Sequence, residues 1–257
     1  SWKKDMVFRA AVGLYQQQPF YREFRRFDGS LNLGVDAQKS YHALAGMDYN
    51  FSFWGRPFKL TVETYYKYLD DIIPYDIDNV RIRYYADNVA SGYAAGIDFR
   101  VSGEFVPGDE SWFSIGFLST KEDLSIDDRG LIPRPTDQLV NFNIFFQDHL
   151  PKNPTYRVYL NLNYASGLPF GPPNNIEYRN VFRGESYQRI DIGLSKIFFM
   201  KKVNFLESIW LGVEVLNLTG RNNPVSYYWV KDFNNVYYAV PNSLSGRFFN
   251  IRFKIKF

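Results

Sequence analysis

Apolar and polar residues alternate along this chain in long runs. At its end, Phe249, Ile251, Phe253, Ile255 and Phe257 hold one parity and Asn250, Arg252, Lys254 and Lys256 the other. Successive side chains of a strand point to opposite faces, so such a segment has one apolar and one polar face. Nine earlier segments repeat the pattern. Met6, Phe8, Ala10, Val12 and Leu14 alternate with Arg9, Gly13 and Tyr15; Tyr41 to Phe51 alternate with Ser40, His42, Gly46, Asp48 and Asn50; Phe58, Leu60 and Val62 alternate with Lys59, Thr61 and Glu63. Tyr93 to Val101 oppose Gly96, Asp98 and Arg100, a fifth run centres on Phe113, Ile115 and Phe117, and Val140 to Phe146 oppose Asn141, Asn143 and Gln147. Tyr156 to Tyr164 oppose Arg157, Asn161 and Asn163; Ile190 to Leu194 oppose Arg189, Asp191 and Ser195; Ile209 to Val215 oppose Glu214. The pattern predicts ten strands, most of about 10–14 residues, where strands of soluble proteins usually run to about 5–6. A tilted membrane crossing needs about 9–11.

The connections sort by length. Those after odd-numbered strands are long, spanning 18–37, 74–90, 124–135, 167–185 and 219–245, and those after even-numbered strands are short, at 53–57, 106–110, 149–153 and 201–207. Strict long/short alternation is the habit of an outer-membrane barrel, whose periplasmic turns are short and whose extracellular loops are long. A soluble sandwich has no reason to sort its loops this way. The expected fold is all-β, a transmembrane antiparallel β-barrel with about ten strands in this chain.

Composition agrees and adds exclusions. The 257 residues include 20 Tyr and 24 Phe, no Cys, and a formal net charge of +3. Aromatic content of this kind favours strands, and mean hydropathy is −0.32. No run approaches the roughly 18 consecutive apolar residues of a transmembrane helix. Near-neutral charge gives no reason to expect nucleic acid as a partner.

The stretches "RAAVGLYQQQPFYREF", "LNLGVDAQKSYHALAGMDYNF", "RPTDQLVNFNIFFQDHLP", "YASGLPFGPPNN", "YQRIDIGLSKIF" and "LGVEVLNLTGRNNPVSYYWV" together resemble the C-terminal half of the barrel of TonB-dependent outer-membrane receptors. The likeness runs nearly end to end. It is nearer to receptors carrying a carboxypeptidase-regulatory-like domain than to SusC-type glycan importers. The resemblance implies a barrel of 22 strands occluded by an N-terminal plug and energised by TonB, ExbB and ExbD, in the outer membrane of a Gram-negative cell. Residues 1–257 then form the C-terminal part of the wall, with Ser1 to Asp5 as a periplasmic turn and the plug and N-terminal strands outside this sequence. Phe253, Ile255 and Phe257 resemble the closing signal that the barrel-assembly machinery reads by strand addition. Outer-membrane lipid is an implied partner, and a surface lipoprotein or other outer-membrane subunit is a further one. The implied function is uptake of a scarce nutrient (siderophore, glycan or peptide); the alternative is a non-transporting barrel serving as scaffold.

Chemistry for catalysis is thin, and no enzyme activity or cofactor is expected. His42 shares a face with Ser40 and Asp48, but residues two apart on a strand stand roughly 7 Å apart, too far for a nucleophile–base hydrogen bond. His149 is expected in a short turn without a Cys or second His to complete a metal site. Asp70–Asp71 and Asp127–Asp128 read as solvated loop charges, and "GLPFGPP" lacks the Lys-Ser/Thr of a phosphate-binding loop. Ligand candidates lie in the long loops. "PFYREFRRF" combines Tyr21 with Arg22, Arg25 and Arg26; "GLPFGPP" offers Phe170; "SYYWVKDFNNVYYAV" offers Tyr227, Tyr228, Trp229, Tyr237 and Tyr238. Aromatic faces stack on rings and arginines pair with anions, although the same aromatics suit an interfacial girdle or a hairpin extending the last two strands above the membrane.

Overall fold

Two tight turns explain how the longest strands are joined. Trp54 (φ 54°) and Gly55 (φ 70°) both take positive φ, the geometry of a two-residue turn whose twist matches antiparallel strands. Pro107 presets the next turn and Gly108 takes φ 82°, as a type II turn requires at its third position. The computed structural model describes residues 5–78, 80–150, 152–172, 175–200, 205–244 and 246–257. Residues 1–4 of the expected first turn, 201–204 of the last short connection and 151 of another lie outside this set.

The described residues contain seventeen strands and no helix: β1 (Met6–Gln17), β2 (Gln38–Phe53), β3 (Arg56–Ile72), β4 (Tyr75–Asp78), β5 (Arg81–Tyr84), β6 (Ala90–Val106), β7 (Asp109–Leu124), β8 (Ile132–Pro133), β9 (Val140–Leu150), β10 (Asn153–Ala165), β11 (Pro169–Phe170), β12 (Phe182–Arg183), β13 (Tyr187–Phe199), β14 (Ser208–Leu216), β15 (Pro224–Lys231), β16 (Tyr237–Ser243) and β17 (Phe248–Lys256). Ten of them form one sheet in the order β1-β2-β3-β6-β7-β9-β10-β13-β14-β17, with β8 as a short flap on β7. Every ladder in it is antiparallel. The remaining six strands make three small hairpins, β4/β5, β11/β12 and β15/β16, each within one long connection. Among the described residues β1 pairs with β2 alone and β17 with β14 alone, so this sheet has two edges.

Register keeps the two parities apart across the wall. Ala45 faces Thr64, Phe99 faces Ile115, Leu160 faces Ile192, and Leu194 faces Val213, which in turn faces Ile251. On the other face Asp48 meets Thr61, Asn143 meets Asn163 and Glu214 meets Asn250. The apolar side chains are left bare, with Leu194 51%, Val213 50% and Ile251 72% exposed. An exposed apolar band of this extent marks a surface that meets an apolar partner or a membrane.

Several charges on the polar face are balanced locally. Asp48 accepts from Thr61 (2.9 Å), is ion-paired with Arg9 and lies 3.4 Å from Lys59; Arg189 pairs with Asp191 (2.7 Å) and Arg252 with Glu214 (2.8 Å). Arg100 and Arg157 instead lie over the Trp112 and Trp210 rings at 4.7 and 5.6 Å.

Three sequence expectations need correction. His149 lies in β9, not in a turn, with Nδ1 2.7 Å from Asp109 across the sheet, because β9 and β10 continue below the polar–apolar alternation that marked their limits. His42 Nε2 reaches Ser40 Oγ at 2.6 Å: the imidazole leans along the strand and spans the pleat repeat. The carboxylate on the same face, Asp48, is held by Arg9, Lys59 and Thr61, so no base–orienter pair forms. Finally, the β15/β16 hairpin does not prolong β14 and β17. Asn217 (φ 52°) and Gly220 (φ 66°) turn the chain away, and the hairpin forms its own sheet.

The face assignment predicts a mutational asymmetry. Arg in place of Val213 or Ile192 should cost about 2–4 kcal/mol of folding in lipid, whereas Asn143→Arg should be mild. Equal penalties in denaturant titrations of bilayer-inserted protein would overturn the assignment.

Candidate functional site

Alternation places Asn141 and Asn143 of β9, Asn161 and Asn163 of β10, and Arg189 and Asp191 of β13 on the polar face. The ladders then bring them side by side: Asn163 lies between Asn143 and Arg189, and Asn161 faces Asp191. Above them the connection from β10 folds back over the wall. Its entry is tight, because a Cβ at Gly167 would stand 1.8 Å from the Gly184 carbonyl oxygen; only glycine permits that crossing. The β11/β12 pair that follows sets Phe170 beside Phe182. Strand alternation in β15 points Tyr227 and Trp229 toward Phe170, which stacks on Tyr227 with ring centres 3.9 Å apart and planes 11° apart, and lies 6.1 Å from Trp229. Between the Asn-rich wall and this aromatic cluster is a cavity of about 770 Å³ at the long-loop end, within the range of about 300–1,000 Å³ typical of small-molecule sites.

A buried ionic network fixes the loops around it. Arg179, 2% exposed, pairs with Asp76 (2.6 Å) and with Glu122 (2.6 Å), itself 1% exposed, and donates to the Tyr75 carbonyl (2.8 Å). Arg134 reaches the other Glu122 oxygen at 3.1 Å. Burial opposes the Arg179 charge, but Glu122 and Asp76 outweigh it and hold the guanidinium above its ordinary pKa. Arg183 is ion-paired with buried Asp137, whose carboxylate also accepts from the Thr120 amide at 2.7 Å. Asn180 donates to the Pro133 carbonyl (2.8 Å) and Arg129 to the Ile176 carbonyl (2.6 Å). Beneath lies a small apolar cluster of Ile72, Ala90, Leu124 and Ile132. Burial, with Asp76 adding to it, pushes the Tyr85 phenol up.

The sequence candidates therefore divide. Phe170 and Trp229 meet at the cavity, with Tyr227. Tyr228 and Tyr238 are half-exposed on the opposite face of the β15/β16 hairpin, where alternation sends them, and Tyr237 sits under Lys231 (5.3 Å) away from the cavity. Tyr21, Arg22, Arg25 and Arg26 line a separate, open depression completed by Arg81, Arg83 and Tyr84 near β5. There Arg22 donates to the Tyr21 hydroxyl (3.0 Å) and lowers its pKa, while Arg83 is neutralised by Asp78 at 3.0 Å. Phe253 and Ile255 project from the apolar face of β17, and Phe257 follows its last residue. The Asn quartet, Glu122, Asp137 and Arg179 were not singled out by sequence; only the polar parity of the four Asn was visible there. Among the described residues no group of three or more His, Asp or Glu side chains could hold a metal ion.

No protein-family model matches the chain, and no curated protein is significantly similar to it. Solved structures are. The ferric-catecholate import receptor Fiu of E. coli K12, in its closed form, aligns with a TM-score of 0.66 at 14% identity, over 98% of this chain and 33% of that one. The copper transporter OprC aligns at 0.65 and 14%, over 99% and 37%, and the ferric yersiniabactin uptake receptor FyuA of Yersinia pestis at 0.61 and 17%, over 99% and 35%. At such identities the likeness defines the fold alone: a section of β-barrel wall like that of these three proteins. The chain spans about a third of the length of these structures.

Removing the counter-charge of a buried ion pair is far more costly than replacing both partners. Because Arg179 keeps Asp76, Glu122→Gln should destabilise closure of 125–139 and 175–186 over the wall by about 1.5–3 kcal/mol, the cost of a lost hydrogen bond to a charged group, seen as faster amide hydrogen exchange in both segments with the β13 and β14 amides unchanged. Unaltered exchange would show that the pair adds nothing to closure. Tyr75 and Tyr85 are both held above the ordinary phenol value, chiefly by burial. Their contribution is therefore intact below about pH 10 and lost as pH rises through their folded values, so the same exchange should quicken in alkali.

Proposed function

We propose that this chain is part of the barrel wall of a TonB-dependent receptor that takes up a scarce small-molecule nutrient across the outer membrane. The observation carrying this reading is the match of 98–99% of the chain to three proteins whose described roles are import, uptake or transport. The cavity supports it, because it lies at the long-loop end, where a ligand arriving from outside the cell would first meet the wall. An unpaired strand edge is not tolerated in lipid. In this reading the free edges of β1 and β17 pair with further strands, 22 in all, around a plug that contacts TonB and, through it, ExbB and ExbD. The full-length gene should confer uptake of its ligand in a strain with an intact tonB gene and none in a tonB deletion. Equal uptake in both strains would remove the energised-receptor reading and leave a passive or scaffolding barrel.

The closing strand is proposed as the assembly signal. Phe253 and Phe257 are 60% and 78% exposed and bury little within the wall. Deleting Phe257 should therefore reduce outer-membrane insertion in cells while barely changing the denaturation midpoint of refolded protein. Normal insertion of the shortened chain would argue for a packing role alone.

A further inference from the structure

We infer that the cavity is a subsite for a neutral oligosaccharide, with sugar rings stacked on Phe170, Tyr227 and Trp229 and hydroxyls read by the facing amides of Asn143 and Asn163. The inference rests on the uptake reading above and names its substrate class.

Charge balance is the first reason. Each ionised side chain lining the cavity already has an internal partner: Arg179 has Asp76 and Glu122, Arg189 has Asp191 at 2.7 Å, and Glu185 has Arg221 at 3.5 Å. An anionic metal chelate or a peptide with charged termini would need an unpaired charge to offset its desolvation. Among the described residues the cavity presents none, so it favours an uncharged ligand.

The second reason is the kind of polar group left open. Among the described residues, the side-chain amides of Asn141, Asn143, Asn161 and Asn163 make no hydrogen bond with one another or with any neighbour, although they share one patch of wall. Each carries both donors and an acceptor, matching hydroxyls, which also do both. The third reason is shape. The aromatic cluster offers flat, apolar, electron-rich faces opposite the amides, suited to a ring with C–H groups on its faces and hydroxyls on its rim.

The test uses the intact receptor in detergent micelles and isothermal titration with maltohexaose, cellohexaose, xylohexaose and mannohexaose, with a ferric tris-catecholate as the charged comparison. At least one of the four glycans should bind saturably. Trp229→Ala should weaken it about tenfold or more, and so should the double variant Asn143→Ala/Asn163→Ala, which keeps the aromatic cluster. Phe233→Ala at the hairpin tip, where the ring is 93% exposed, should leave binding unchanged. Unheated gel mobility confirms that each variant is a folded barrel. Binding of none of the four glycans, glycan binding indifferent to both site variants, or binding of the ferric tris-catecholate that depends on Trp229 would each overturn the inference. Failure of the uptake reading looks different: a fluorescent derivative of the bound glycan would occupy the cell surface without entering the periplasm of tonB-intact cells.

Discussion

Backbone pairing along ten antiparallel strands comes first, and the remaining features of the chain follow from it. Inside a bilayer every amide must pair with another backbone group, and an antiparallel sheet does so while leaving both faces free for side chains. Strand lengths of 9–17 residues follow, as do the two-residue turns at Trp54–Gly55 and Pro107–Gly108, which reverse the chain between its longest strands. So does the parity rule. With pairing satisfied within the sheet, the freedom left is which face each side chain takes, and Ile192, Leu194 and Val213 occupy one side while Asp191, Glu214 and Arg189 occupy the other.

The polar face shows how charge is tolerated on such a wall. Arg9 with Asp48, Arg189 with Asp191 and Arg252 with Glu214 compensate one another within or between neighbouring strands. Toward the loop end the balance becomes tighter. Glu122 and Asp137, each 1% exposed, are anchors on which Arg179, Arg134 and Arg183 converge from two different connections. Buried pairs of this sort contribute specificity of arrangement more than net stability. Here they fix the path of the β7–β9 and β10–β13 connections over the apolar cluster of Ile72, Leu124 and Ile132.

The cavity is a consequence of both. Register aligns the Asn residues of β9 and β10, and the ionic network holds the returning loop at the height where Phe170 can stack on Tyr227. Neither half makes a site alone, since the amides are an open polar wall and the aromatics are a loop cluster.

What the sequence determined by itself was the wall. Period-two alternation is local, and long and short connections are counted along the chain, so ten strands, their faces and their hairpin order were legible from residues such as Val140 to Phe146 and Ile209 to Val215. The positions of Phe170 and Trp229 in long loops were legible too. Which loop aromatics converge was settled by the path of the loops in space. Tyr227 and Trp229 turn inward while Tyr228 turns out, a matter of one residue in β15 whose sense depends on how the hairpin leaves the wall at Asn217 and Gly220. The pairing of Arg179 with Asp76 joins residues 103 apart; neither it nor the register of Asn143 with Asn163 leaves a trace in either segment. Local periodicity fixes which face a side chain takes, but contact across the wall depends on chain path and register, which only the assembled sheet and its loops define.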